Sequence, residues 1–439
     1  MTRFRTDAAT FGAGVLAAGA LSWVALGGSA AMIATIVGLV AIVAIWVIRE
    51  SNSVLWPWPV RLIPIHVAAA LAPSNPDVVL QYGLALAVLT FVLSGQLPKL
   101  GTPDLLAIGL ALWAIASSID SGTGHGIRAA DRYIAALALF IACRQVATDR
   151  KRWMSVAVTF IGGSLYVAWK AISQAPDETT DFRPVIDTVN INYAAYALVT
   201  AVVVTLAAAT VTRRSRRRMV CAVGVASAMA YAIARTDTRA AVLAVVVAVI
   251  YLVVRRLASR AAWRVISLAV PAILITVAAG MFDRVDLSWM DDYLDRDTGE
   301  LSGRLLVWPY ARQAIADHPF DGLGPHIFPT VNPMQIGAHN LILTLGVDVG
   351  LVGIALYAAI FVTALLPFRT NRRWRHLAAL LVLAWLPIWL TGFWELSPAA
   401  WITVALWSHL PAVAEQRQSV QTTDAVMDKA IWTPRRVRT

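Results

Sequence analysis

The sequence predicts an all-α fold, a polytopic membrane helical bundle of about 12–14 spans with one long outer loop containing short helices. Three observations predict it. Of 439 residues, 58% are hydrophobic and only 14% are charged, against about 25% charged in an ordinary soluble domain. The apolar residues gather in runs near the roughly 20 residues that carry a helix across a bilayer core. The basic residues gather between those runs, in alternate connections.

In chain order the apolar runs are 10–28, 30–48, 61–72, 78–94, 103–118, 127–144, 153–173, 191–211, 219–234, 238–256, 262–281, 340–367, 376–394 and 397–412. The first two follow one another directly, with no small-residue cleavage site leading into a soluble region. They read as anchors and not as a removed signal peptide. Segment 61–72 is short and holds Pro64 and His66, so a half-helix or re-entrant segment is expected there. Residues 1–281 are thus expected as a transmembrane helical region and 282–339 as a loop with amphipathic helices. Residues 340–412 follow as C-terminal transmembrane helices and 413–439 as a cytoplasmic tail. The last stretch, "DKAIWTPRRVRT" (428–439), is short and basic and reads as a flexible end. Neither a solenoid period nor an inverted repeat is visible.

Setting the N-terminus in the cytoplasm and alternating puts 27 of the 37 Lys and Arg residues on the inner side. "RRSRRR" (213–218), "RRLASR" (255–260) and "RTNRRWR" (369–375) all fall there. This positive-inside bias predicts that both termini are cytoplasmic. The net charge of +11 is then a topology signal, with some attraction to anionic membrane lipids. Nucleic acid is not the expected partner, because no aromatic platform interleaves with the basic runs. Cys143 and Cys221 lie inside apolar runs and read as small buried hydrophobes.

The outer side differs. It carries the acidic stretch "QAPDETTDFRPVIDTVN" (174–190) and the connection 282–339, far longer than the usual connection of about 4–6 residues. Within it, "LSWMDDYL" and "GRLLVWPYARQAIADHP" read as helices, and Leu305, Trp308, Ala311 and Ile315 share one helical face. Such amphipathic pieces lie at the membrane interface.

Polar residues near outer helix ends are the candidates for chemistry. Arg239 stands in the first turn of a helix, after the possible caps Asp237 and Thr238. A cation there opposes the helix dipole. It is either an arginine snorkelling to headgroups or an anion ligand. Arg304, behind the possible cap Ser302, is either a solvated residue of an amphipathic helix or a second anion ligand. Two guanidiniums on one site would suit a diphosphate, since each can hydrogen-bond phosphate oxygens in bidentate fashion. Arg235 and Arg312 are weaker candidates for the same field. His339 stands where the long loop re-enters the membrane, next to Asn340. It either bonds a loop carbonyl or serves as a general base, because an imidazole titrates near neutral pH. His318 and His326 share the loop, but the spacings match no zinc-ligand pattern, so no metal is expected.

Three stretches carry a resemblance. They are "TDTRAAVL" (236–243), "SGRLLVWPYARQAIADHPFDGLGPHIF" (302–328) and "AHNLILTLGVDVGLVGIALY" (338–357). Their order resembles the O-antigen ligase and polymerase superfamily of bacterial envelope glycosyltransferases. "VIDTVNINYAAY" (185–196) is similar to that family's Asn-containing lead into a helix group. The resemblance implies a GT-C-like inner-membrane enzyme, of around twelve spans, whose long loop is periplasmic. It implies transfer of a glycan from undecaprenyl diphosphate to an acceptor hydroxyl, inverting, with neither metal nor cofactor. By position, Arg239 and Arg304 would hold the donor diphosphate and His339 would activate the acceptor. Asn340, Arg312, His326, Asn192 and Arg235 would be secondary substrate contacts. The expected acceptor is lipid A-core, which would make the protein a ligase. A growing glycan (polymerase) and a protein (O-oligosaccharyltransferase) are the alternatives. A transporter or flippase would need charge pairs near the midplane and broken helices in both halves. A non-catalytic envelope assembly protein is the remaining class.

Overall fold

The computed structural model describes residues 62–94, 99–120, 124–174, 190–211, 216–257, 304–370, 374–392 and 394–432. The runs 10–28, 30–48 and 262–281, the helix expected at "LSWMDDYL", the possible cap Ser302 and most of 174–190 lie outside these residues. Among the described residues every regular element is a helix. In chain order they are α1 (Ile63–Leu71), α2 (Pro76–Ser94), α3 (Thr102–Asp120), α4 (Gly124–Val146), α5 (Arg150–Ser173), α6 (Ile191–Val211) and α7 (Arg216–Arg235). There follow α8 (Arg239–Leu257), α9 (Arg304–Asp317), α10 (Phe328–Val331), α11 (Leu341–Leu365), α12 (Pro367–Thr370), α13 (Arg375–Thr391) and α14 (Pro398–Trp432).

Five of these helices, α2, α3, α5, α6 and α11, are long and apolar enough to cross a membrane. The fold is a polytopic helical membrane bundle. Its outer surface shows why. On α3, Leu105, Leu112 and Ile119 recur every seven residues and are exposed, while Ala107, Leu110 and Ala114 are buried. An exposed leucine stripe beside a buried alanine stripe makes sense where lipid replaces water.

α6 is the axis of the bundle and is almost wholly buried. Its many alanines let α5, α7, α13 and α14 approach closely. Thr200 and Thr205 turn their hydroxyls back to the carbonyls of Tyr196 and Ala201. The indole of Trp385 on α13 then donates to Thr200 Oγ1 at 2.9 Å. Two other buried indoles find carbonyls, Trp153 on Leu406 at 2.7 Å and Trp407 on Leu377 at 3.2 Å, while Nε1 of Trp389 and of Trp394 is buried with no protein partner. A buried N–H without a partner would be costly in lipid surroundings.

α1 spans nine residues, about 13 Å, too short to cross a bilayer, as the half-helix reading of 61–72 expects. It packs on α2 and α5. Gly163 of α5 lacks a Cβ where the backbone of Ala70 passes. α14 differs from expectation at its far end. The helix does not stop near 412 but runs on to Trp432, so residues 428–432 are helical and not a flexible end. Alanine, glutamine and lysine favour continuation of the helix there, and no glycine or proline follows Pro411 within it.

The helices run up and down between two ends. At one end a buried pair closes the bundle, with Arg144 Nε and Nη2 donating to Asp104 at 2.7 and 2.6 Å. Asp149 caps α5 by accepting from the backbone of Lys151 and Arg152. Arg255, Arg256, Arg369 and Arg375 belong to this same basic end, tied by the Tyr251 hydroxyl bonding the His376 carbonyl. At the opposite end α6, α8 and α11 begin and α13 finishes, and there the candidate residues collect.

Candidate functional site

The start of α8 is held by its own turn. The Thr238 carbonyl accepts from Ala241 and Val242, opening the helix. The Thr238 hydroxyl does not cap it. Instead it donates to Asn192 Oδ1 at 3.1 Å, joining the first turn of α6 to that of α8. Asn192 is therefore half-buried and partly committed. Arg239 is the first residue of α8, exposed, and takes part in no ion pair among the described residues. Its charge faces the positive end of the helix dipole. Arg235, half-buried at the end of α7, donates from Nη2 to the Gln174 carbonyl at 3.3 Å, bracing α7 against α5.

α9 is docked by a small second core. Val307, Trp308 and Ala311 pack with Phe328, Ala338 and Val347, with Ile315 beside them. This is the apolar face expected from Trp308, Ala311 and Ile315; the Leu305 side chain lies outside the described part. Trp308 Nε1 donates to the Ala338 carbonyl at 2.8 Å. Arg304 opens the helix one turn earlier, and its side chain also lies outside the described part. Arg312 is exposed on the same helix.

His339 sits between two anchors. On one side its neighbour Ala338 receives the Trp308 indole. On the other, Asn340 caps α11 by accepting from Ile342 and Leu343, and its Nδ2 donates to the Leu390 carbonyl at the end of α13, at 3.2 Å. Asn340 is buried, with both ends of its amide engaged. It anchors the start of α11 to the end of α13. The half-buried His339 is left with φ 48°. Among the described residues four non-glycine positions have positive φ, and Asp237, His326 and His339 are three of them. Such strain costs about 1–3 kcal/mol and persists where the surroundings impose it, often at functional sites.

Below His339 the membrane helix α11 is broken. Gly350 takes φ 65° and ψ −170°, a conformation that is nearly exclusive to glycine. The freed backbone groups are met by other segments, as non-helical backbone at membrane depth requires. Leu323 N donates to the Val347 carbonyl at 2.7 Å, Leu351 N to the Pro319 carbonyl at 2.8 Å, and the Trp113 indole to the Val349 carbonyl at 2.9 Å. The turn 318–326 is thereby stitched into the break. Gly350→Ala would set a Cβ against the Phe320 carbonyl in addition to the backbone strain. We expect this variant to lose at least about 2 kcal/mol of stability, measured as a lower unfolding temperature in detergent.

Two acids in this region escape a reading by composition. Asp348 lies seven residues into α11, about 10 Å below its start, and is buried. Its oxygens accept from the His326 backbone N–H at 3.1 Å and the Tyr133 hydroxyl at 3.2 Å. Glu395, in the turn between α13 and α14, is also buried; burial pushes its carboxyl up to about 7, while the backbone N–H groups of Glu395 and Trp394 pull it down. The string "GVDVG" carried the signal for Asp348, since an acid flanked by glycines inside an apolar helix is a functional candidate. His326 itself is exposed, and His318 is exposed at the end of α9. Among the described residues no three His, Cys, Asp or Glu side chains gather so as to hold a metal ion.

Arg239 opens α8, Arg304 opens α9 and His339 just precedes α11, while His326 lies deeper, against Asp348; the Arg235–Gln174 and Thr238–Asn192 contacts brace the neighbouring helix ends. Fold and site together define a multi-pass helical membrane protein with a basic, histidine-bearing face at the end opposite its main arginine clusters. Residues 224–358, 135 of the 439, match the family model described as O-Antigen ligase. This domain supports the O-antigen ligase and polymerase superfamily, a group of glycosyltransferase-like membrane enzymes. No curated protein matches the chain.

Proposed function

We propose that the protein transfers a glycan from undecaprenyl diphosphate to an acceptor hydroxyl at the periplasmic face of the inner membrane, as an O-antigen ligase acting on lipid A-core. The observation that carries this reading is the coincidence of two facts. The match to the O-Antigen ligase family model covers 224–358, and that stretch carries Arg239 at the start of α8, Arg304 at the start of α9 and His339 just before α11. The concentration of arginines at the opposite end supports a cytoplasmic assignment of that end, and with it of both termini.

The acceptor oxygen attacks the anomeric carbon as the bond to the diphosphate breaks. His339 takes the acceptor proton, and the lipid diphosphate leaves carrying its negative charge. Arg239 and Arg304 stabilise that charge, Arg312 and His326 extend the contact to the donor, and Arg235 and Asn192 hold the floor of the site. A single displacement inverts the anomeric centre. The leaving group needs cations and not a proton, so a guanidinium pair suffices where other transferases use a metal. Deleting the gene and analysing the envelope glycans tests the reading. Accumulated lipid-linked polymer with bare lipid A-core is the expected result. Single repeat units on the acceptor would make the protein a polymerase, and loss of glycoprotein alone a protein transferase. Unchanged glycans would remove the enzyme reading.

A further inference from the structure

We propose that Asp348 is a positioning residue, which through the backbone of His326 sets the turn 318–326 and aims the His326 imidazole at the donor. The inference rests on the glycan-transfer reading for its effect on turnover, but not for its effect on the turn.

The geometry is specific. His326 has φ 62°, a conformation that a non-glycine residue adopts only when held there. The hold is visible. Its N–H donates to one oxygen of Asp348, and Tyr133 of α4 fixes the other. The Leu323 N–H to Val347 carbonyl bond and the Leu351 N–H to Pro319 carbonyl bond grip the same turn on either side of the acid. An acid at this depth costs solvation energy that a backbone contact alone does not demand. Here it links three elements, α4, α11 and the turn, at one point. The chain runs from the buried Tyr133 hydroxyl, through the Asp348 carboxyl group, to a backbone amide whose own side chain is exposed.

The test uses the full chain in lipid nanodiscs. Hydrogen exchange of the segment 318–328 is compared between the native chain and the variants Asp348→Ala, Asp348→Asn and Tyr133→Phe. Asp348→Ala is expected to speed exchange at His326 by about tenfold or more, since a buried hydrogen bond to a carboxylate is lost. Asp348→Asn keeps an acceptor and should stay close to the native chain, with Tyr133→Phe between the two. Transfer is then measured with an undecaprenyl-diphosphate glycan donor. Asp348→Ala and His326→Ala should each lower kcat/KM for the donor by up to about 10²-fold, the scale of a misplacement of about 1 Å. The double variant should be no worse than the worse single one, because both act through the same imidazole. Unchanged exchange in Asp348→Ala, or losses that multiply in the double variant, overturns the proposal. Should Asp348→Ala fail to fold, Tyr133→Phe decides, and unchanged exchange in it has the same consequence. A native chain without transfer activity would defeat the glycan-transfer reading, while the exchange result would still decide whether Asp348 sets the turn.

Discussion

Replacing Arg239 by alanine is expected to reduce glycan transfer by at least about 10²–10³-fold, the usual cost of removing one group aimed at developing negative charge. Arg304→Ala should do the same. Both variants are expected to insert and fold. Arg239 is exposed and stands outside every ion pair among the described residues, and Arg304 begins a helix whose docking rests on Val307, Trp308 and Ala311. Lysine at either position should restore only part of the rate, since a point charge cannot reproduce a bidentate contact to phosphate. The measurement is transfer in membranes containing equal amounts of each variant. Full activity in both alanine variants would remove the diphosphate clamp.

His339→Ala is expected to lower turnover by roughly 10²–10⁴-fold, the range for loss of a general base, while donor binding survives. The reason lies in how the residue is held. Trp308 bonds the carbonyl on one side of it and Asn340 caps α11 on the other, so alanine removes the imidazole and leaves the anchors. The anchors still impose the left-handed φ of 48°, which alanine tolerates no better than histidine, so no gain in thermal stability is expected. Binding of the lipid-linked donor by fluorescence or calorimetry, set beside the single-turnover rate, separates the two effects. An unchanged rate would return His339 to a purely structural part. Loss of donor binding together with the rate would instead move it into the diphosphate contact.

The membrane helices were legible because their signal is local. A run of apolar residues must be helical to satisfy its backbone in lipid, and the observed bounds of α2, α5, α6 and α8 lie within a few residues of the runs that predict them. Alternation and arginine counting likewise need no tertiary information, and from them the sequence predicts one side for Arg239, Arg304 and His339. The sequence shows the Asn340 amide but not the Leu390 carbonyl that uses it, fifty residues away. Thr238 was read as a cap, and its hydroxyl goes to Asn192 on another helix.

By itself the chain of residues determined a helical bundle in a membrane and where its apolar helices fall along the chain. These follow from hydropathy and charge, which act over a single turn or a single crossing. Only the tertiary structure decided that α11 breaks at Gly350, that the turn 318–326 fills the break, and that Asp348 and Tyr133 meet beneath His326. Two of those contacts, Tyr133 with Asp348 and Trp113 with Val349, join residues more than two hundred positions apart, and no local pattern encodes which distant donor will satisfy a freed carbonyl.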